Sequence, residues 1–324
     1  MDYTVRPFDP ATDTPARVDL YNSIYPEAPM TISQSLEWER LRPPDLISQR
    51  LVAVWNQQVV GVSSCNHKRN ADSMDFFITC SVAHEARGQG IGTDLVQRSI
   101  QFARERGAVR MFAYLRDDDP ASMRFAEAHG FSRLHHGFEV ALELKLFDAS
   151  RLHELDDFLS DAGVALTDLE TWGDTLEHRR ALYDLSNEVM RDAPDEPFEA
   201  RFEDFLRWLE QKTYFASGVR LAMDANENLI GFSWLMFDAE TGQADNWGTG
   251  IRREFRRQGL AWMLKLECVR WALDRGAKRI VTGNNETNVG IRTINQRLGF
   301  ERQLGTWEME LRFQAQPAST SGNV

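Results

Sequence analysis

A chain of 324 residues, 42% hydrophobic and 27% charged, is long enough for one large domain or two ordinary ones with real apolar cores. Thirty-seven Lys and Arg against 49 Asp and Glu leave a formal charge of −12, which argues against nucleic-acid binding, because phosphate backbones reward clustered cations. Three cysteines, Cys65, Cys80 and Cys268, without CxxC or metal spacing argue against a disulfide framework and a metal site. No window approaches the ~18 apolar residues that a membrane span needs.

An extended run at Tyr3–Phe8 precedes helical patterns at Ala16–Ile24 and Ser33–Leu41. Leu51–Trp55 and Val59–Ser64 flank Asn56-Gln57-Gln58 and read as a hairpin. A strand at Phe76–Val82 leads into a glycine-rich loop, and a helix from Thr93 to Arg106 is stopped by Gly107. Strand Arg110–Leu115, helix Ala121–His129 and a closing strand Phe138–Leu146 follow. Ser150–Ala162 reads as a linking helix, which places a domain boundary near residue 150.

The order then recurs. A strand at Val164–Asp168 precedes a helix at Leu176–Met190, a Pro-broken turn at Asp192–Pro197 and a helix at Glu199–Gln211. Strands Arg220–Met223 and Leu229–Phe237 flank Ala225–Asn228, and another strand ends at Ile251. Helix Ala261–Arg275, strand Arg279–Thr282, helix Val289–Arg297 and strand Thr306–Phe313 complete the second pass. The small, polar tail Gln314–Val324 predicts disorder.

The recurrence has a fixed offset. Arg87-Gly88-Gln89-Gly90-Ile91-Gly92 and Arg256-Arg257-Gln258-Gly259-Leu260-Ala261 lie 169 residues apart. So do Val82 and Ile251, Leu95 and Leu264, Gly107 and Gly276, Gly130 and Gly299, and Phe131 and Phe300. A collinear set of this kind marks an internal duplication.

A strand, a turn with Arg and spaced glycines, and then a helix present unpaired backbone N–H groups where the helix dipole favours an anion. Either loop alone is equally a tight strand–helix turn. Gly88, Gly90 and Gly92 give GxGxG, not the GxGxxG of a dinucleotide site, and no GK[ST] is present for a nucleotide P-loop.

Together the loops resemble the [QR]xxGx[GA] motif of the GCN5-related N-acetyltransferase (GNAT) family. Arg87, Gly90 and Gly92 match in the first copy, and Arg256, Gly259 and Ala261 in the second. The Gly-Phe pairs Gly130-Phe131 and Gly299-Phe300 stand where the family closes its last helix. The resemblance implies two tandem GNAT domains, in the two-domain arrangement of the mycothiol synthase type. They would occupy 1–149 and 150–313, and each would be an α/β fold of α+β type with a mixed, mostly antiparallel sheet flanked by helices. It implies acetyl-CoA bound at Val82, Arg87, Gly88, Gln89, Gly90, Ile91, Gly92 and Thr93. In the second copy the set is Ile251, Arg256, Arg257, Gln258, Gly259, Leu260 and Ala261, with Asn288 toward the pantetheine arm. Asp119 replaces that Asn in the first copy.

The implied activity is acetyl transfer to an amine, which needs a base because an alkylammonium has a pKa of about 10.4. Some members carry a Glu on the fourth strand; at that spacing the second copy has Asp245 and the first Phe76, with Asp75 alongside. Asp245 is either this base or a solvated turn carboxylate. The family's frequent Tyr proton donor falls at Ala126 and at Asn295, neither of which has an acidic proton to give; either the thiol leaves as thiolate, which slows the chemistry without forbidding it, or Tyr183 or Tyr214 substitutes. Asp245 and Asn288 favour the C-terminal copy as catalytic. The expected partner is a small-molecule or peptide amine, with no nucleic acid, metal or membrane, on a cytoplasmic monomer or homodimer. Asp192, Asp195 and Glu196 either receive a cationic acceptor or form a solvated loop. The other reading is a catalytically silent CoA-binding or structural protein.

Overall fold

The computed structural model describes residues 2–26, 29–69, 74–155, 163–192 and 201–313. Most of the expected linking helix, Asp195 and Glu196, and the tail from Gln314 lie outside the described residues. The chain forms two compact units: Met1–Leu115, Asp119–Leu134 and Glu308–Val324 make the first, and Arg116–Asp118 with His135–Trp307 the second.

Unit 1 starts with β1 (Thr4–Pro7), α1 (Pro10–Ile24) and α2 (Ile32–Arg40). Asp9 accepts from Ala11 N ahead of Pro10, and Thr31 and Gln34 close a capping box, so both helices start at residues chemically suited to it. Strands β2 (Ser48–Trp55) and β3 (Gln58–His67) are joined through Asn56 and Gln57, both left-handed at φ 49° and 64°, as a tight hairpin requires. Next come β4 (Asp75–Val82), α3 (Ile91–Glu105), β5 (Arg110–Arg116) and α4 (Pro120–Ala128). The sheet runs β1-β2-β3-β4-β5, antiparallel except where β4 meets β5. Ile91 and Leu95 of α3 pack into an apolar cluster with Leu51, Ala53 and Val60 of the hairpin.

Unit 2 repeats the plan with β7 (Ala165–Asp168), α5 (Leu169–Trp172), α6 (Leu176–Met190), α7 (Phe202–Trp208), β8 (Val219–Met223) and β9 (Leu229–Asp238). It continues through β10 (Gln243–Ile251), α8 (Leu260–Asp274), β11 (Arg279–Asn285) and α9 (Val289–Leu298). Leu235, Phe237, Ala244 and Ile280 pack with Leu266 and Val269 of α8. Trp234 and Met236, alternating with them on β9, pack instead with Leu182, Leu185 and Phe205 of α6 and α7. The fold is thus of α+β type, with a mixed, mostly antiparallel sheet flanked by helices.

The closing strands are exchanged. β6 (Ser132–Glu143) pairs antiparallel with β11 over Gly137–Glu143, and its Phe138, Val140 and Leu142 join the α8 cluster. β12 (Glu301–Arg312) ends in unit 1, where Phe313 N donates to Val109 O at 2.9 Å. Leu144–Leu146, expected as strand, forms a 3-10 turn.

Candidate functional site

Each glycine-rich loop sits between a parallel-paired strand and a 15-residue helix. Gly90 and Gly259 are the N-caps of α3 and α8 at φ 85° and 86°, a left-handed conformation that favours glycine. Neither helix has a side-chain cap hydrogen bond, whereas α1, α2, α4, α6 and α9 all do. Their first-turn N–H groups therefore lack the usual side-chain acceptor. Gly88, Gln89 and Gly90 are exposed, as are Arg257, Gln258 and Gly259, and a Cβ at Gly88 or Gly90 would meet nothing within 4 Å. Arg257 takes Gly88's place and adopts its left-handed backbone, at φ 62°.

The two Arg side chains brace the loops alike. Arg87 Nε donates to Val82 O at 3.1 Å and Arg256 Nε to Ile251 O at 2.9 Å. Arg256 also reaches Asp192 at 2.8 Å, and Arg253 pairs with the same carboxylate, which these cations hold below the usual carboxylate range. Ile91 and Leu260 are buried and anchor their helices, while Gly92, Thr93 and Ala261 are half-exposed behind them.

In both units the parallel strands meet for three residues and then part. β4 pairs with β5 only over Asp75–Phe77, and β10 with β11 only over Gln243–Asp245, although both strands run on to the loops. In unit 2 a bulge between Asn246 and Gly248 inserts Trp247 where the divergence begins; unit 1 pairs without interruption. That extra residue shifts the strand register. Asp245 lies opposite Val281 as Phe77 lies opposite Phe112, so the counterpart of Asp245 is Phe77, not Phe76. Asp75 corresponds to Gln243 and is buried against Arg110 at 2.7 Å, so it is committed to structure.

Asp245 accepts from Gln243 Nε2 at 2.8 Å, and burial raises its pKa above the ordinary carboxylate range. It lies on the strand face of Met236, where Trp247 packs on Trp208 and Trp234 with ring centroids 5.5 and 5.9 Å apart. Glu139 of β6 is close enough for repulsion by Asp245 to add to the burial that raises its own pKa. Sequence reading missed Glu139; its signal was an acid within an alternating apolar strand, but only the strand exchange places it in unit 2. Lys265 was also missed. It is a lone cation in the apolar run Leu260–Leu266 and donates to Asn246 Oδ1 at 2.8 Å.

Asn295 is 1% exposed; its Nδ2 donates to Asn284 Oδ1 at 2.9 Å while its own Oδ1 is buried without a partner among the described residues. Ala126 is its buried counterpart in unit 1. Asn288 caps α9 through Ile291 N, as Asp119 caps α4, so the side-chain oxygens of both are engaged. Asp245 and Asn295 are thus held by different partners. Tyr214, offered as a substitute proton donor, packs in the α6–α7 cluster, where burial raises its pKa. The three cysteines are free, with burial pushing Cys65 and Cys80 up to about 12 and Cys268 to about 11.

Two uncapped, glycine-opened helix starts behind diverging parallel strands agree with the family comparison, which matches acetyltransferase (GNAT) family regions at residues 15–131 and 180–300. The chain belongs to the GNAT acetyltransferase family. It carries two GNAT regions in tandem. Among known proteins, the probable N-acetyltransferase camello of Xenopus laevis is 35% identical over 82 residues, 25% of this chain and 37% of that protein. N-alpha-acetyltransferase 30 of Schizosaccharomyces pombe is 32% identical over 84 residues, 25% of this chain and 56% of that protein. The matched segments span less than two thirds of either relative.

Among solved structures, a tandem GNAT protein from the clavulanic acid biosynthesis pathway is similar at TM-score 0.77 and 19% identity, covering 98% of this chain and all of that one. A GCN5-related N-acetyltransferase from Sphaerobacter thermophilus is similar at TM-score 0.74 and 19% identity, covering 96% and 95%. At these identities the likeness is one of fold. Among the described residues no helix is long and apolar enough to cross a membrane, and no His, Cys, Asp and Glu group is arranged to hold a metal ion.

Proposed function

We propose that this GNAT protein is an acetyl-CoA-dependent N-acetyltransferase whose C-terminal copy, in unit 2, carries the chemistry on an amine acceptor. The observation that carries this reading is Asp245. The carboxylate is half-buried, raised in pKa and next to the bulge in β10 at the point where β10 leaves β11, whereas unit 1 has Phe77 in its place.

The residues fit the cosubstrate. The uncapped start of α8 offers backbone N–H groups to phosphate, Gly259 removes the Cβ there, and the buried Oδ1 of Asn295 has an acceptor lone pair to spare. When bound, acetyl-CoA supplies an acyl group activated as a thioester. Asp245 takes a proton from the acceptor ammonium, which burial of the carboxylate makes more favourable by raising its basicity. Beyond Asp245 the β10 edge has no ladder partner on the β11 side among the described residues, and its backbone there can steady a developing oxyanion. Asn295 gives no acidic proton, and a thiol of pKa near 8.5 does not require one near neutral pH. Asp245, with Glu139 within range of its charge and Trp247 two residues along β10, makes the acceptor side suited to a cation.

Calorimetric titration of acetyl-CoA, followed by thiol release with a panel of amines, tests the reading. Binding that is lost in Gly259→Glu, with amine-dependent thiol release lost in Asp245→Asn, supports it. Binding without thiol release would favour a silent CoA-binding protein, the alternative suggested by the absence of Tyr at Ala126 and Asn295.

A further inference from the structure

Between α1, α2 and strands β2–β4 of unit 1 lies a cavity of about 360 Å³, the size of a small-ligand pocket. Three guanidinium groups line it, those of Arg17, Arg42 and Arg50, against one carboxylate, Glu39. Arg50 takes up Glu39, with its two Nη atoms 2.5 and 2.9 Å from the carboxylate oxygens. Arg17 and Arg42 are left with neutral acceptors: Ser35 Oγ and Met30 Sδ for the first, Asn66 Oδ1 at 2.9 Å for the second. Among the described residues neither forms an ion pair. Burial, and then the charge of Arg50, press against the protonated form of both. Glu39, already taken up by Arg50, is the one carboxylate whose charge favours them. A guanidinium cannot shed its proton at any ordinary pH, so three guanidinium groups sharing one counter-ion are a standing cost that an anion would relieve.

The duplication shows that the fold does not demand this cavity. The cross-strand row Arg50–Ser64–Thr79 in unit 1 corresponds, by strand register, to Val219–Trp234–Gly248 in unit 2. In unit 2 Val219 and Trp234 are buried in the apolar cluster under α6 and α7. In unit 1 the same positions line open space with a cation and two hydroxyls. Tyr21 and Tyr25, with ring centroids 4.9 Å apart, and the half-exposed Trp38 supply flat apolar walls.

We propose that unit 1 holds a binding site for a small aromatic carboxylate, its anionic end held by Arg17 and Arg42 and its ring against Tyr21, Tyr25 and Trp38. The planar fork of a guanidinium matches a carboxylate. This site is separate from the acetyl-transfer centre proposed for unit 2 and does not depend on it.

The test is calorimetric titration of the full chain with benzoate, phenyl phosphate, benzyl alcohol and benzylamine. Benzoate should bind saturably at one site per chain, more tightly than the other three. Arg17→Gln and Arg42→Gln should each weaken it at least tenfold without lowering the unfolding midpoint, since each removes one of three cations that share a single carboxylate. Ser64→Trp, which imports the side chain of unit 2, should abolish binding while the chain still unfolds cooperatively. Gly259→Glu and Asp245→Asn should leave benzoate binding unchanged, which separates this site from the proposed transfer site. Absence of saturable benzoate binding, equal affinity for benzyl alcohol, tighter binding of phenyl phosphate, or benzoate affinity unmoved by Arg42→Gln and Ser64→Trp would each overturn the proposal.

Discussion

Lys265 Nζ donates to Asn246 Oδ1 at 2.8 Å, so a fully buried ammonium on α8 is tied to the residue that opens the bulge in β10. Asn246 Nδ2 reaches Ser233 Oγ at 3.1 Å and Trp234 O at 3.0 Å, and its backbone oxygen accepts from Thr282 Oγ1 at 2.9 Å. The polar network under the bulge is thus assembled around one side chain. Burial pushes Lys265 down to about 8 from its ordinary 10.5. Between those values the unfolded chain binds more protons than the folded one, so this group makes stability rise with pH from about 8 to 10.5, and its contribution is constant below and above. Chemical denaturation across that window should show the native chain gaining up to about 3 kcal/mol relative to Lys265→Met. Parallel pH profiles for the two would show that Lys265 does not titrate as a buried group.

Asp245→Asn should lower the turnover number by roughly 10²-fold, within the range for loss of a general base. Because burial raises the Asp245 pKa, the native acid limb should lie above the ordinary carboxylate range, and the substitution should remove it. Steady-state rates from pH 5 to 9 with a saturating amine measure both, and an unchanged limb would remove Asp245 from the chemistry.

Glycine at the two loop caps should be irreplaceable by an acid. Gly259→Glu and Gly90→Glu each put a side chain on a left-handed residue and a carboxylate at an uncapped helix start. Each should reduce acetyl-CoA affinity in its own unit by at least tenfold, read as a change in calorimetric stoichiometry. If Gly90→Glu has no effect while Gly259→Glu abolishes binding, only the C-terminal loop serves CoA.

Arg110→Met should destabilise unit 1 by about 3–5 kcal/mol, because it leaves a buried charge uncompensated. Its guanidinium lies 2.7 Å from Asp75 and 3.6 Å from Glu310, whose side chains are 1% and 4% exposed. Adding Asp75→Asn should recover part of the loss in urea unfolding. No recovery would show that the pair is not coupled.

Much of the architecture was legible because local chemistry repeats. The helix at Leu176–Met190 was bounded at its true ends, since Thr175 caps it through His178 N. The loop at Arg256–Ala261 was recognisable from its match to Arg87–Gly92 at the fixed offset and to the family motif, which keeps Gly259 because few residues accept the backbone that it adopts. The counterpart of Asp245 was misplaced by one residue. The extra residue at Trp247 interrupts the pairing of β10 but leaves no mark in a constant offset counted from Ile251. Glu139 was invisible as part of the second site because strand exchange is a choice of partner, and a strand's sequence states which face is apolar without stating which edge it joins.

The sequence by itself determined the duplication, the order of helices and strands in each copy, and the two loops able to meet an anion. These follow from side-chain periodicity, capping and backbone freedom, which act within a few residues. Only the tertiary structure decided that Asp245 is half-buried with Glu139 within range of its charge, that Lys265 is held under the bulge, and that Arg17 and Arg42 line a cavity where the other copy packs Trp234. Burial and charge balance depend on distant segments meeting in space, and no local pattern encodes them.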